Sequence, residues 1–159
     1  MSHARSEYRD FITLAPDAWD AVQALGKVAA KAGIDKQLLE LIKLRASQIN
    51  GCAFCVQYHI LQSERLGVPV DKLNLVVVWR EAPQFSPRER AALAWTEALT
   101  LLASGVSDEV YAQASAEFSE KELAYLTSAI TSINVWNRFG VAYRWTPPVR
   151  KSAASAAAS

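Results

Sequence analysis

The sequence predicts an all-α protein, built as a single-domain array of about six or seven helices. Apolar residues recur at steps of three and four along most of the chain, which is the period of a helix with one buried face. Serine caps, glycines and prolines separate these segments as helix starts and stops. Only Leu75 to Trp79 is rich in β-branched and aromatic residues, and nothing else in the chain offers a strand to pair with it. At 159 residues, 51% of them hydrophobic, the chain suits one domain with its own core.

The first half of the helical domain, which we place at residues 16–146, contains three longer helices. Residues 1–15 are predicted to form an irregular N-terminal arm. The first helix should run from about Pro16 to Lys31, with proline in the first turn and Gly33 as the stop. The second should run from an N-cap at Asp35 to Ile49.

The third helix is predicted from about Cys52 to Leu66. Asn50 and Gly51 form a turn signal before it, and Gly67 followed by Pro69 ends it. Residues 71–79 are then interpreted as a short fourth helix, because a strand there would have no partner.

The second half of the domain opens on a capping box, Ser86 to Glu89, with proline at the first helical position. A fifth helix should extend from there to about Ala103. Ser107 caps a sixth helix that ends near Phe118, and a second capping box, Ser119 to Glu122, begins a long seventh helix reaching Tyr143.

The seventh helix carries two stripes of side chains, which predicts burial between layers or at a subunit interface, and we favour the interface. One stripe is apolar and continues into two asparagines; its members are Leu123, Leu126, Ile130, Ile133, Asn134 and Asn137. The other is small and aromatic, with Ala129, Trp136, Phe139 and Tyr143. Residues 147–159 begin with two prolines and are predicted to be a disordered tail.

Charge and composition disfavour several classes of partner. Lys plus Arg is 17 and Asp plus Glu is 16, so a net charge of +1 gives no general attraction to nucleic acid or to anionic membranes. The N-terminus has no apolar signal region, and no run of residues approaches the length of a membrane span. We therefore expect a cytoplasmic protein.

The chemistry of the chain is concentrated at Cys52, Cys55 and His59. If the third helix begins at the Cys-x-x-Cys pair, His59 lies roughly 20° around the helix from Cys52 and roughly 40° from Cys55 at about 100° per residue. Amide groups at a helix N-terminus favour a thiolate, and a nearby imidazole can accept the thiol proton. This arrangement is typical of a reactive dithiol.

Other interpretations of the pair stay open. A thioredoxin-like site needs a strand before the cysteines, and a structural zinc site needs about four ligands, whereas Cys52, Cys55 and His59 supply three and His3 lies in the N-terminal arm. A structural disulfide would close a very small loop and stabilise little.

Two charged residues of the second helix lead to separate expectations. The helical pattern places Glu40 on the side away from the core and predicts a solvated surface glutamate. Arg45 falls within the apolar arc, so it should need a carboxylate or carbonyl partner.

The spacing of Glu40, Cys52, Cys55 and His59 resembles the signature of the alkylhydroperoxidase D-like branch of the carboxymuconolactone decarboxylase superfamily. The surrounding LRASQINGCAFCVQYH and the later FSPRERAALAWTE and SINVWNRFGVAYR are also similar to its members. The resemblance implies an all-α fold assembled as trimers or hexamers, and an antioxidant, peroxiredoxin-type peroxidase activity without a bound cofactor.

By this resemblance, Cys55 is the peroxidatic thiol and Cys52 the resolving thiol that forms a disulfide with it. His59 withdraws the proton from Cys55, and Glu40 ends the relay, which reverses the surface interpretation of Glu40. The best-studied members have a further histidine between the cysteines, whereas this chain has Phe54. Decarboxylating members lack the cysteine pair, which argues against that activity here.

The resulting prediction is a thiol-dependent peroxidase or disulfide oxidoreductase that reduces hydrogen peroxide or organic hydroperoxides through a Cys52–Cys55 cycle. An external dithiol, a lipoyl group or a thioredoxin-like protein, would regenerate it. The alternative is a non-enzymatic redox sensor or assembly module with a reversible disulfide; a metal-binding protein is a third possibility. Asn134, Trp136, Asn137 and Arg138 match a recurring segment of the family and are assigned to packing or assembly.

Overall fold

The computed structural model describes residues 4–150, and those residues form eight α-helices and two short 3-10 turns without any strand. The all-α prediction is confirmed, with one helix more than expected. The α-helices are α1 (Tyr8–Leu14), α2 (Pro16–Lys31), α3 (Lys36–Ile49), α4 (Ala53–Arg65), α5 (Val70–Leu75), α6 (Pro87–Thr100), α7 (Asp108–Glu117) and α8 (Glu120–Tyr143). The 3-10 turns are Val76–Val78 and Leu102–Ser104.

The additional helix is α1, which lies inside the segment predicted to be an irregular arm. Glu7 and Asp10 form a reciprocal capping box at its start. Its apolar face is then held by distant residues: Phe11 is buried and packs against the rings of Phe139 and Trp145. Seven residues cannot sustain a helix alone, so these tertiary contacts stabilise α1. His3 and residues 151–159 of the predicted tail lie outside the described part of the chain.

The predicted helix starts are confirmed where capping chemistry defined them. The side chains of Asp35, Ser86, Ser107 and Ser119 each accept a hydrogen bond from a backbone N–H of the following first turn. Such caps satisfy donors that the helix itself leaves unpaired. Helix α6 is shorter than predicted and ends at Thr100, followed by a 3-10 turn.

Helix α8 is central, because it packs against α2 on one side and against α3, α4 and α6 on others. Its aromatic stripe is covered from within the chain: Trp136 meets Trp19 of α2, and Phe139 meets Phe11 of α1. Both stripes are thus explained by burial between layers of one chain. A subunit interface on α8 remains a prediction, but the two-stripe pattern no longer favours it.

A second buried region holds α3, α6 and the 3-10 turn after α5 together through Glu97. This carboxylate accepts hydrogen bonds from Arg45 Nε at 2.7 Å, Trp79 Nε1 at 2.9 Å and Arg80 at 2.5 Å. The expectation that Arg45 needs a carboxylate partner is therefore confirmed. We call these residues the Glu97 cluster.

The helices within residues 4–150 include none that combines the length and the apolarity of a membrane span. The longest, α8, carries several charged residues and contributes its apolar side chains to the core.

Candidate active site

The turn between α3 and α4 places both cysteines. Asn50 ends α3, Gly51 adopts a left-handed conformation with φ of +66°, and Cys52 becomes the N-cap of α4 by accepting a hydrogen bond from the amide of Cys55. A left-handed φ favours glycine, which explains Gly51 at this position. The two sulfurs lie at disulfide bonding distance, with Cα atoms 5.3 Å apart. The Cys-x-x-Cys therefore begins a core helix, as the sequence predicts.

A cavity of about 220 Å³ opens beside the pair. Cys55 lines it, together with Glu40, Lys43 and His59, whereas Cys52 lies behind the wall. Both cysteines are almost fully buried, with relative exposures of 1% for Cys52 and 3% for Cys55. An incoming molecule in the cavity would therefore meet the sulfur of Cys55 first.

Glu40 is buried and paired with His59, not solvated as the helical pattern predicted. The Nδ1 atom of His59 lies 2.6 Å from Glu40 Oε2, and Lys43 Nζ donates to Glu40 Oε1 at 2.8 Å. The surface interpretation is wrong because the outer side of α3 faces α4 rather than water. The placement implied by the family resemblance, with Glu40 turned toward the dithiol, is the observed one.

The environment of the pair keeps His59 in its neutral form, which can accept a proton. Burial alone would raise the pKa of Glu40, but the hydrogen bonds and charges of His59 and Lys43 outweigh it and lower this pKa to about 2. Burial lowers the pKa of His59 and outweighs the opposing effect of the Glu40 carboxylate. At neutral pH Glu40 is thus ionised and the imidazole neutral, so Nδ1–H donates to the carboxylate and Nε2 keeps its lone pair.

A buried network of hydrogen bonds connects α8 to the turn that contains the two cysteines. Asn50 Nδ2 donates to the side-chain oxygens of both Asn134 and Asn137 at 2.9 Å. Asn137 Nδ2 in turn donates to Ser47 Oγ at 3.0 Å, and Ser47 is fully buried. These contacts give Asn134 and Asn137 a packing role, in which they hold the Cys-x-x-Cys turn in place.

Gly140 of α8 brings the helix backbone against the sulfurs. A Cβ atom added at Gly140 would lie 2.5 Å from Cys52 Sγ and 3.2 Å from Cys55 Sγ, closer than side chains normally approach. Trp145, the second residue after α8, contacts the same place, because the chain reverses at Arg144, whose φ of 52° is left-handed. The indole nitrogen of Trp145 is buried and has no hydrogen-bond partner among residues 4–150.

The rest of the cavity lining combines aromatic rings with a few other side chains, namely Gln23, Lys27, Gln62, Ser132 and Ile133. Its five rings form an aromatic wall and come from three helices and the segment after α8; they are Tyr8, Phe54, Tyr58, Trp136 and Trp145. Phe54, which replaces a histidine of the best-studied relatives, lies at the centre of this wall, 4.6 Å from the ring of Tyr8 and 5.5 Å from that of Trp145. Burial raises the pKa of Tyr8 to about 12, so its hydroxyl stays neutral.

The sequence reasoning missed four residues of the site: Tyr8, Lys43, Gly140 and Trp145. An isolated glycine within a strong helix commonly has a packing reason, so Gly140 carried a usable signal. Tyr8 and Trp145 carried none, because nothing local indicates that the two ends of the domain meet. They are joined by Thr146, which donates two hydrogen bonds to the carboxylate of Glu7.

Two of the other interpretations of the pair, a zinc site and a thioredoxin-like site, gain no support from the geometry. Across residues 4–150, no group of three or more His, Cys, Asp or Glu side chains is arranged to hold a metal ion. The described helices also lack the strand that a thioredoxin-like site requires.

Comparison with known proteins identifies the family of the chain. The sequence model of the carboxymuconolactone decarboxylase family matches residues 16–98, which include all three helices from α2 to α4 and most of α6. The chain belongs to the carboxymuconolactone decarboxylase family. Its alkylhydroperoxidase D-like branch is indicated by the crystal structure of ATU0492 from Agrobacterium tumefaciens, a protein of unknown function suggested to be the antioxidant defence protein AhpD. That structure is 40% identical, with a TM-score of 0.85, over 93% of this chain and 100% of the other.

Two further proteins are similar to this chain to different degrees. The uncharacterized protein YdfG of Bacillus subtilis is 33% identical over 138 residues, covering 86% of this chain and 94% of YdfG. The debrominase Bmp8 has the same fold at 21% identity, with a TM-score of 0.78 over 87% of this chain and 75% of Bmp8. The likeness to Bmp8 shows only a shared fold, and a shared fold does not define one reaction.

Proposed function

We propose that the protein is a thiol-dependent peroxidase that reduces hydrogen peroxide or organic hydroperoxides through a cycle of Cys52 and Cys55. The observation that carries the proposal is the Glu40–His59 pair, 2.6 Å between oxygen and nitrogen, which opens with Cys55 onto one cavity. Family membership and the resemblance to an AhpD-like structure support an antioxidant, peroxidase-related role.

The cycle begins from the reduced pair. A free cysteine with a pKa of about 8.5 is mostly protonated at neutral pH, so a base is needed to form the thiolate. His59 is four residues after Cys55 on α4, one helical turn away, and its neutral imidazole accepts the Cys55 proton while Glu40 stabilises the imidazolium that results.

The Cys55 thiolate then attacks the outer oxygen of the hydroperoxide. The O–O bond breaks, Cys55 becomes a sulfenic acid, and the departing alkoxide takes the proton held by His59 to leave as an alcohol, or as water from hydrogen peroxide. The Cys52 sulfur attacks the sulfenic sulfur, the S–O bond breaks, and water leaves as the disulfide forms. One peroxide is consumed and two electrons pass from the dithiol.

Regeneration needs an external dithiol, which we propose to be a lipoyl group or a thioredoxin-like protein. Its two thiols exchange with the disulfide and leave as a disulfide themselves, returning Cys52 and Cys55 to thiols. No bound cofactor is part of the proposal. We also retain cytoplasmic localisation and assembly into a trimer or hexamer as proposals that rest on the sequence and on the family.

Thiol chemistry tests the roles directly. Reduced wild-type protein should consume one peroxide per dithiol without added reductant and should turn over when a dithiol donor is present. Cys55→Ser should abolish consumption, whereas Cys52→Ser should leave a sulfenic acid that a sulfenic-acid-specific probe can trap. Undiminished turnover by Cys55→Ser would contradict the assignment.

The same assay separates the enzyme from the non-enzymatic redox sensor or assembly module. A sensor with a reversible disulfide would react once per dithiol and stop, even with lipoyl and thioredoxin-like donors supplied in excess. An enzyme would continue until the peroxide is exhausted.

A further inference from the structure

The wall of the cavity next to Cys55 differs in chemistry from the wall that carries the proton relay. Glu40, Lys43 and His59 make one side polar. The side formed by Tyr8, Phe54, Tyr58, Trp136 and Trp145 consists of ring surfaces. Gln23, Lys27, Gln62 and Ser132 add further polar groups to the lining. A ligand that contacts the ring surfaces and reaches Cys55 has a polar reacting end and a flat apolar body.

Phe54 is the residue that places the aromatic wall next to the sulfur of Cys55. It precedes Cys55 in the first turn of α4, so the helix backbone fixes the ring relative to that sulfur. Its ring is partly buried and contacts Tyr8, Tyr58 and Trp145 at centroid distances of 4.6, 6.0 and 5.5 Å. Offset and edge-to-face contacts at such distances favour a further aromatic ring over an aliphatic group of similar size.

The size of the cavity limits that body to one ring. A cavity of about 150 Å³ in another protein is enough to bind benzene, and drug-sized ligands occupy pockets of about 300 Å³ or more. The cavity here, at about 220 Å³, lies between these values. It would hold a single ring with a short substituent that reaches Cys55.

We propose that the substrate class is a small organic hydroperoxide whose –OOH carbon bears an aromatic ring, with the ring held against Phe54, Tyr8 and Trp145. The inference rests on the proposed peroxidase function and specifies its substrate. The reaction is balanced as above: the arylalkyl hydroperoxide becomes the corresponding arylalkyl alcohol and water, and the Cys52–Cys55 dithiol becomes a disulfide.

A matched pair of oxidants tests the preference. Cumene hydroperoxide and tert-butyl hydroperoxide carry the same tertiary –OOH group and differ by a phenyl group in place of a methyl group. The second-order rate constant for oxidation of reduced protein should be higher for cumene hydroperoxide by about tenfold or more, the effect of burying the ring and adding its ring–ring contacts. A ratio within about twofold of unity would overturn the inference.

The ratio of these two rate constants also tests the role of Phe54. In Phe54→Leu the ratio should fall by about tenfold toward unity, because the ring contact is lost while a similar apolar volume remains. Phe139→Leu is the matched control: Phe139 is a partly buried ring of the same aromatic region that does not line the cavity, so its variant should keep the ratio of the wild type. An equal fall in both variants, or in neither, would overturn the assignment to Phe54.

Binding without reaction keeps the inference separate from the proposed function. In full-length Cys55→Ser protein, 2-phenylpropan-2-ol should shift the indole N–H NMR signal of Trp145 at concentrations where tert-butanol does not. If neither hydroperoxide nor hydrogen peroxide oxidises the reduced wild type, the peroxidase function fails. If oxidation occurs but 2-phenylpropan-2-ol leaves the Trp145 signal unchanged, the aromatic preference alone fails.

Discussion

The cavity beside Cys55 and the Glu97 cluster both depend on a buried carboxylate, yet the two carboxylates have different kinds of partner. Glu97 is satisfied by two arginines, which stay charged at any ordinary pH, and by an indole N–H. Glu40, equally buried at 9% exposure, is paired with Lys43 and with a histidine whose charge can change. The first carboxylate is a fixed structural link, whereas the second can respond to a proton.

The two carboxylates therefore suit different tasks: Glu97 holds helices together, and Glu40 is placed to take part in proton transfer. A pair of permanent ions can hold helices together but cannot transfer a proton at neutral pH. A carboxylate and an imidazole can, provided that the imidazole also reaches an open space. Of these two carboxylates, Glu40 lines the cavity that Cys55 also lines, whereas Glu97 does not.

The largest effect is expected for Glu40→Gln on the rate of reaction. The glutamine can still accept a hydrogen bond from His59 but cannot stabilise an imidazolium, so the rate constant for oxidation by peroxide should fall about 100-fold. Stopped-flow measurement with reduced protein checks this. A loss of less than about threefold would remove Glu40 from the relay.

Glu97→Gln should lower the stability of the protein and leave its rate of oxidation almost unchanged. Breaking the buried contacts to Arg45 and Arg80 should cost about 2 to 3 kcal/mol of unfolding free energy, near the low end for such pairs because Arg80 is more than half exposed. The rate constant of the folded protein should stay within about twofold of the wild type. Urea denaturation and the same stopped-flow assay measure the two quantities, and a reaction defect in Glu97→Gln would contradict the comparison.

Gly140→Ala should destabilise the oxidised protein more than the reduced protein. The new Cβ would lie 2.5 Å from Cys52 Sγ when the disulfide is closed, while free thiols can rotate away. The oxidised protein should lose about 2 kcal/mol of stability and the reduced protein clearly less. Denaturation curves with and without a phosphine reductant check this difference; equal losses in both states would indicate simple overpacking of α8.

The acid dependence of stability tests the Glu40–His59 pairing itself. The pKa of Glu40 is lowered from 4.5 to about 2 by folding, so ionised Glu40 stabilises the folded protein above pH 4.5 and that contribution is lost as the pH falls toward 2. The stability difference between wild type and Glu40→Gln should therefore shrink over this range. A difference that stays constant from pH 6 to pH 2.5 would contradict the pairing.

Local patterns predicted the helices because they depend on local interactions. Capping boxes at Ser86 and Ser119 satisfy backbone donors within three residues, and the observed helices begin there. The face shared by Cys55 and His59 follows from the helical repeat alone. By contrast, α1 depends on contacts between Phe11 and residues more than a hundred positions away, which no local pattern contains.

The sequence by itself determined an all-α chain with two cysteines at the start of a core helix and a histidine one turn later. Only the tertiary structure decided that Glu40 is buried against His59, that Gly140 approaches the sulfurs, and that Tyr8 and Trp145 complete an aromatic wall. The physical reason is the distance along the chain between the interacting residues. Hydrogen bonds within a turn and the helical repeat involve residues a few positions apart, whereas burial depends on which distant helices pack together.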